Sequence, residues 1–238
     1  MRAGLLPGLP RLVDRYAAGA DATAAARVTR ELVAEGRDVA LERLPAGNAA
    51  ELLLLAARLR DDGLAARAEL TVPVDALGPA AAESVTAQAL ECGTAVALAG
   101  TVVTVDELAG RLPAARVVLP AGEPGAEERC RLLGDGPVRL VQGRGAGADL
   151  AFVRCLNVLM SRDGRPAVAA TDPRLVAIAG ERAAWYDRPP DSWEHVMPYG
   201  VRIDDQRQLV AAGYRVRVAV PWGPAAVAAP LRRLAGRP

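Results

Sequence analysis

The stretch Trp193-Glu-His-Val-Met-Pro-Tyr-Gly-Val-Arg202, a polar run, and then Tyr214-Arg-Val-Arg-Val-Ala-Val-Pro-Trp-Gly223 decide the fold. The first part holds a short apolar strand, Glu194 to Met197. The polar run from Asp204 to Ala212 has helical spacing. Val216 to Val220 alternates Val with Arg or Ala, the period of a strand, and Pro221 and Gly223 are expected to stop it. Strand, helix and strand joined by loops of a few residues form one parallel βα unit. The chain then ends Ala229-Pro-Leu-Arg-Arg-Leu-Ala-Gly-Arg-Pro238. Arg232 and Arg233 thus follow the C-terminal end of a strand, where a βα protein meets a ligand anion. Two Arg on a short terminal helix also read as a solvated face.

Upstream, the same unit repeats. Residues 1 to 20 read as a short leader or cap, and residues 21 to 238 as one domain. Helical spacing runs from Asp21 to Gly36, which fits a C-cap. A strand at Val39 to Leu41 follows, then a helix with Asn48 as N-cap that closes at Gly63. Glu69 to Val74 is a strand, although Pro73 is awkward in a central one. The alternation continues through expected strands at 94–98, 116–119, 138–141 and 167–170, with helices between them. Eight short strands alternating with helices predict a closed (βα)8 barrel; an open doubly wound sheet is the alternative. No Gly-x-Gly-x-x-Gly follows the first strand, so a Rossmann dinucleotide site has no support. Gly143-Arg-Gly145-Ala-Gly147 could cradle a phosphate through backbone N–H groups, or be a flexible βα loop.

Composition narrows the function classes. The chain has 238 residues, 51% of them hydrophobic, and a formal net charge of +1. That supports one sizeable core and gives no electrostatic reason to expect nucleic acid or an acidic membrane. There is no lysine, so Schiff-base and lysine acid–base chemistry are excluded. Cys92, Cys130 and Cys155 lack metal-ligand or disulfide spacing. With no long apolar span, the chain reads as a soluble protein of a reducing compartment, the cytoplasm. His195 is the single histidine. In a strand it points away from its neighbour Glu194, and it reads more readily as structural than catalytic. Asp172 before Pro173 reads as an N-cap with Pro at the first helical position.

Against that background, the C-terminal segment resembles the proline dehydrogenase family. Glu194, Met197, Tyr199, Gly200, Val201 and Arg202 match its E-F-Q-M-L-Y-G-V-R, and Arg217, Val220, Pro221 and Gly223 its R-V-Y-V-P-Y-G. Arg232, Arg233 and Leu234 match Y-x-x-R-R-L-x-E. Val138-Arg-Leu-Val-Gln-Gly143 is similar to V-R-L-V-K-G, and Ala169-Ala-Thr-Asp-Pro-Arg-Leu175 to A-T-H-D-P-R-L. Thr71-Val-Pro-Val-Asp-Ala-Leu-Gly78 is similar to S-V-K-L-S-A-L-G. The resemblance covers roughly residue 20 to the end. It implies a proline-dehydrogenase-like (βα)8 TIM-type barrel with FAD at the strands' C-terminal ends and hydride transfer from an amino or imino acid. By the same likeness, Arg232 and Arg233 hold the substrate carboxylate, with Tyr199 beside it, and Arg139, Gly143, Asp172 and Glu194 serve the cofactor.

Many other family positions differ. Motif lysines are Pro73 and Gln142, the Ala-Tyr after V-K-G is Arg144-Gly145, and an aspartate is Ala99. A glutamine is Pro120, the histidine of A-T-H-D is Thr171, and a leucine is Pro198. Two pocket tyrosines are Ala219 and Ala229, and a glutamate is Gly236. The changes open the pocket, so a substrate larger than proline is expected, with Trp222 and Tyr199 as replacement aromatic walls. The alternatives are a non-catalytic family member that binds a carboxylate or pairs with an active homologue, and non-redox chemistry on a small carboxylate using Asp172, Glu194 or His195. A homo-oligomer is compatible with each.

Overall fold

The computed structural model describes residues 16–226, in which eight parallel strands close into a barrel in sequence order. The strands are β1 (Asp38–Arg43), β2 (Ala68–Pro73), β3 (Ala95–Ala99), β4 (Arg116–Pro120), β5 (Val138–Val141), β6 (Ala167–Ala169), β7 (Glu194–Pro198) and β8 (Val216–Trp222). Around them run α1 (Ala22–Ala34), α2 (Ala49–Asp61), the single turn α3 (Val74–Leu77), α4 (Pro79–Glu91) and α5 (Val102–Arg111). After these come α6 (Ala126–Leu133), α7 (Ala148–Met160), α8 (Pro173–Trp185) and α9 (Ile203–Ala211). The closed barrel, not the open sheet, is the architecture. No helix among the described residues is long and apolar enough to cross a membrane.

Side chains at the N-cap set three of the helix starts. Asp21 and Asn48 accept from the backbone N–H of Ala24 (2.8 Å) and Glu51 (3.1 Å), and Asp172 caps α8 by accepting from Arg174 N (2.8 Å). α5 is capped differently. Asp75, on α3, accepts from Thr101 N at 2.7 Å and from the Thr104 hydroxyl at 2.6 Å. These bonds hold the Asp75 carboxyl below its ordinary range. A Cβ on Gly100 would lie 3.1 Å from that carboxylate, so the glycine admits the long-range cap.

Alternate strand residues face the helices. Val39, Leu41, Leu70, Val72, Val96, Leu98 and Val117 join helix residues such as Leu52 and Leu55 in one buried cluster, and Leu119, Leu140 and Val168 join Phe152 and Leu156 in another. The core is therefore a shell outside the barrel.

The expected stop at Pro221 is corrected, because β8 runs through it to Trp222. β7 pairs with β8 only as far as Pro198 opposite Ala219, so the missing N–H of Pro221 removes no ladder bond there. β1 continues alongside β8 to Arg43 opposite Trp222. Ala18 N donates to Pro221 O at 2.9 Å and Gly223 N to Gly19 O at 2.8 Å, which ties residues 18 and 19 to the end of β8.

Gly223 is required at this seam. Its φ is +101°, and a Cβ would fall 2.4 Å from Leu44 O. Gly223→Ala is expected to destabilise the protein by about 2–3 kcal/mol, read as a lowered urea midpoint with unchanged slope. A loss under about 0.5 kcal/mol would mean that the seam relaxes freely.

Candidate active site at the barrel mouth

The inward positions at the N-terminal ends of the strands are ionic. Glu69 accepts from Arg116 Nε at 2.8 Å and touches the Arg139 guanidinium. Glu194 accepts from Arg217 Nε at 2.9 Å and lies 3.0 Å from Arg116 Nη2. Asp38 is 3.0 Å from Arg215 and 3.5 Å from Arg217, and also pairs with Arg67. Burial alone would raise the Glu194 pKa, but Arg217 and Arg116 hold it down to about 2. Burial lowers Arg116 and Arg139 to about 10, which leaves both cationic at neutral pH. The floor is thus a charged plug in which each buried ion has a counter-ion.

Above the plug the lumen is hollow. Barrels of this kind fill their interior with layers of branched side chains, whereas here Ala99, Ala169 and Ala219 line a cavity of about 780 Å³ at the C-terminal ends of the strands. Such a volume suits a small organic ligand. Arg139 lies at its base, 7% exposed, and its Nε has no hydrogen-bond partner. Its Nη1 reaches Thr71 Oγ1 at 3.5 Å.

Tyr199 and Gly143 line the rim of the same cavity. A Cβ on Gly143 would come within 3.1 Å of Gly122 N, so this glycine lets the loops after β4 and β5 meet. The glycine-rich run after it turns through Gly145 (φ +90°) and Gly147 (φ +80°) into α7. Gln142 bridges two loops, donating to Asp149 (3.2 Å) and accepting from Thr171 N (3.4 Å).

Several expected site residues lie elsewhere. Glu194 is not at the mouth cavity: it opens β7 in the charged floor, because the inward-pointing first residue of a strand meets the N-terminal end of the barrel. Asp172 does not line the cavity. It caps α8, and its hydrogen bonds from Arg174 hold its carboxyl below the usual range. Trp222 is no pocket wall, since it points outward into the core shell under the Arg43 guanidinium. His195 also points outward, against Trp193 and Tyr214. Asp172, Glu194 and His195 therefore face three different regions and form no shared acid–base centre. Arg232, Arg233 and Ala229 lie outside the described residues.

Among the cavity residues, Tyr16 and Glu42 escaped the sequence reading, and Thr71 and Arg144 entered it only as motif positions without a role. For Glu42 a signal existed. Asp38, Ala40 and Glu42 alternate with Val39 and Leu41, and a carboxylate at period two in an otherwise apolar strand belongs to the inner face. Arg144 makes no ion pair among the described residues. Arg202, on the same rim, begins α9 in the left-handed conformation (φ +51°), a conformation rare for a side-chain-bearing residue.

No family model matches the chain. Among curated proteins, proline dehydrogenase 1 of Bacillus subtilis strain 168 is 34% identical over 92 residues, which cover 39% of this chain and 30% of that protein. The proline dehydrogenase of Deinococcus radiodurans is 41% identical over 56 residues, 24% of this chain and 18% of that protein. Over these segments the chain is similar to proline dehydrogenases. Its matched segment spans less than a third of those curated family members.

Solved structures extend the likeness of fold. Proline utilization A from Bdellovibrio bacteriovorus, inactivated by N-propargylglycine, superposes with a TM-score of 0.84 at 16% identity, covering 94% of this chain and 32% of that one. Proline utilization A from Corynebacterium freiburgense gives 0.71 at 16% identity, covering 95% and 31%. At that identity the superposition speaks for the barrel. Because it covers nearly all of this chain, the mouth cavity lies within the shared fold.

Proposed function

We propose that this chain is a flavin-dependent, proline-dehydrogenase-like oxidoreductase whose substrate is an amino or imino acid larger than proline, taken into the mouth cavity. The observation that carries the reading is the hollow upper barrel over a buried cation. Ala99, Ala169 and Ala219 leave about 780 Å³ open, and Arg139 offers an unpartnered Nε–H at its base. Residues 21 to 238 form the barrel domain in this reading.

The donor set suits FAD at this end of the barrel. Arg139 is a buried hydrogen-bond donor beneath the cavity, Gly143 lets the loops after β4 and β5 close together at the rim, and Arg144 is the cation available to a phosphate. When bound, the flavin supplies the hydride acceptor. The chain's own part is placement. Arg232 and Arg233 take the substrate carboxylate by charge-assisted bonds, Tyr199 forms a wall beside it, and the charged floor seals the barrel against water from below. Arg139 keeps a fixed positive charge where electrons arrive. The carbon next to the substrate nitrogen would give its hydride to FAD held there, and the nitrogen's proton would pass to solvent, leaving a C=N bond.

The test is the absorbance of the purified protein after incubation with FAD and gel filtration. Retained bands at ~370 and ~450 nm, bleached by a candidate amino acid, are expected. Arg139→Ala should weaken flavin retention at least about tenfold, because a bond from a charged donor is lost. A protein that stays colourless would sink the redox reading and leave a carboxylate-binding family member that pairs with an active homologue.

A further inference from the structure

A second cavity lies outside the barrel, between α8 and α9. α8 turns Pro173, Val176, Ala177, Gly180 and Glu181 toward it, the spacing of one helical face. α9 faces them with Asp205, Gln208, Leu209 and Ala212, again one face. Ala177, Gly180 and Ala212 are small, and the two helices leave about 600 Å³ between them, within the range of small-molecule sites. A Cβ built on Gly180 meets nothing within 4 Å.

The floor of this groove is His195 with Tyr214. The His195 ring packs edge-on against Trp193 (centroids 4.4 Å apart) and Tyr214 (5.8 Å). The residue is only 2% exposed, yet no group among the described residues hydrogen-bonds its ring nitrogens. Its ring nitrogens are not sealed off, and they border a space that a ligand can enter. The charges around it are unequal. Asp205 is paired with Arg202, whereas Glu181 makes no ion pair among the described residues. The groove therefore combines a narrow apolar slot, a buried hydrogen-bonding imidazole and one unopposed carboxylate.

We propose that the α8–α9 groove is a binding site for a small aromatic amine whose ring carries a hydroxyl or N–H group. The ring lies between the Ala177–Gly180 wall and the Leu209–Ala212 wall, its polar group bonds to His195, and its ammonium faces Glu181. Anionic rings are disfavoured by the same carboxylate. Arg202 borders both this groove and the mouth cavity, so an occupant lies next to a residue of the proposed active site. The assignment does not depend on the redox chemistry of the mouth.

His195 is the chain's single histidine, so its imidazole Hε1 is one unambiguous proton resonance. The experiment titrates the full chain with tyramine and follows that resonance. A saturable shift is expected. Calorimetry should show that His195→Phe weakens tyramine at least about tenfold, and that Gly180→Leu, which fills the slot and favours the helix, removes binding without lowering the melting temperature. If Gly180→Leu perturbs the fold, Ala177→Leu plugs the same wall. Glu181→Gln should weaken tyramine but leave phenol unaffected. The proposal is overturned if the His195 resonance does not move up to the solubility limit of tyramine, if the plugged variants bind like wild type, or if 4-hydroxyphenylacetate binds as tightly as tyramine.

Discussion

Glu194→Gln should destabilise the protein by about 3–5 kcal/mol, because it removes the charge that two buried guanidinium groups share. Arg217 donates to Glu194 from 2.9 Å and Arg116 lies 3.0 Å away, with side-chain exposures of 5% and 12%. The glutamine keeps the shape and an acceptor but not the charge. Partial relief comes from Asp38, 3.5 Å from Arg217, and from Glu69, 2.8 Å from Arg116, which points to the lower end of the range. Urea unfolding at neutral pH measures it, with Arg58→Ala as a surface control. Arg58 and Asp62 form an exposed i,i+4 pair, and that loss should stay below about 0.5 kcal/mol. A change under about 1 kcal/mol for Glu194→Gln would mean that the floor is hydrated and its charges screened. A variant as stable as wild type that loses only flavin would return Glu194 to the cofactor.

The second large effect is a loss of stability in mild acid that traces to one residue. Burial lowers the His195 pKa from 6.5 to about 4. The unfolded chain binds this proton as pH falls through 6.5, and the folded chain does not until about pH 4. Stability from this group is therefore complete above pH 6.5 and is lost as pH falls toward 4. Between pH 7 and 5 the loss should be about 2 kcal/mol, and about 3 kcal/mol by pH 4. Most carboxylates change little between pH 7 and 5, so the comparison is made there. Wild type should lose stability over that interval and His195→Phe, which keeps the aromatic packing with Trp193 and Tyr214, should not. Parallel pH profiles for the two proteins would show that His195 is protonated at no cost inside the fold.

Both effects arise at positions whose type the sequence displayed and whose surroundings it did not. The alternation of Val with Arg in Val216 to Val220 marks a strand, but not that Arg217 meets a carboxylate 23 positions earlier. Glu194 and His195 were separable in advance, because adjacent strand residues face opposite sides. Which side was the ionic floor and which the aromatic shell depended on how β7 entered the barrel. The resemblance assigned Glu194 by its place in a motif, and the motif does not say which end of the strand holds the ligand. Asp75 shows the same limit, since it bonds to the N-cap residue of a helix, Thr101, 26 residues downstream of it.

By itself the sequence determined the eight βα units, the caps at Asn48 and Asp172, the absence of lysine chemistry and the small residues that hollow the mouth. These are local properties, set by spacing, capping geometry and side-chain volume within a few residues. Only the tertiary structure decided which charges are buried together. Arg215 and Asp38 are 177 residues apart in the chain and 3.0 Å apart in the barrel. It likewise decided that Arg139 lies under an open cavity and that His195 lines a groove of its own. Barrel closure brings β8 against β1, and desolvation and ion pairing act on distances in space that no spacing in the sequence encodes.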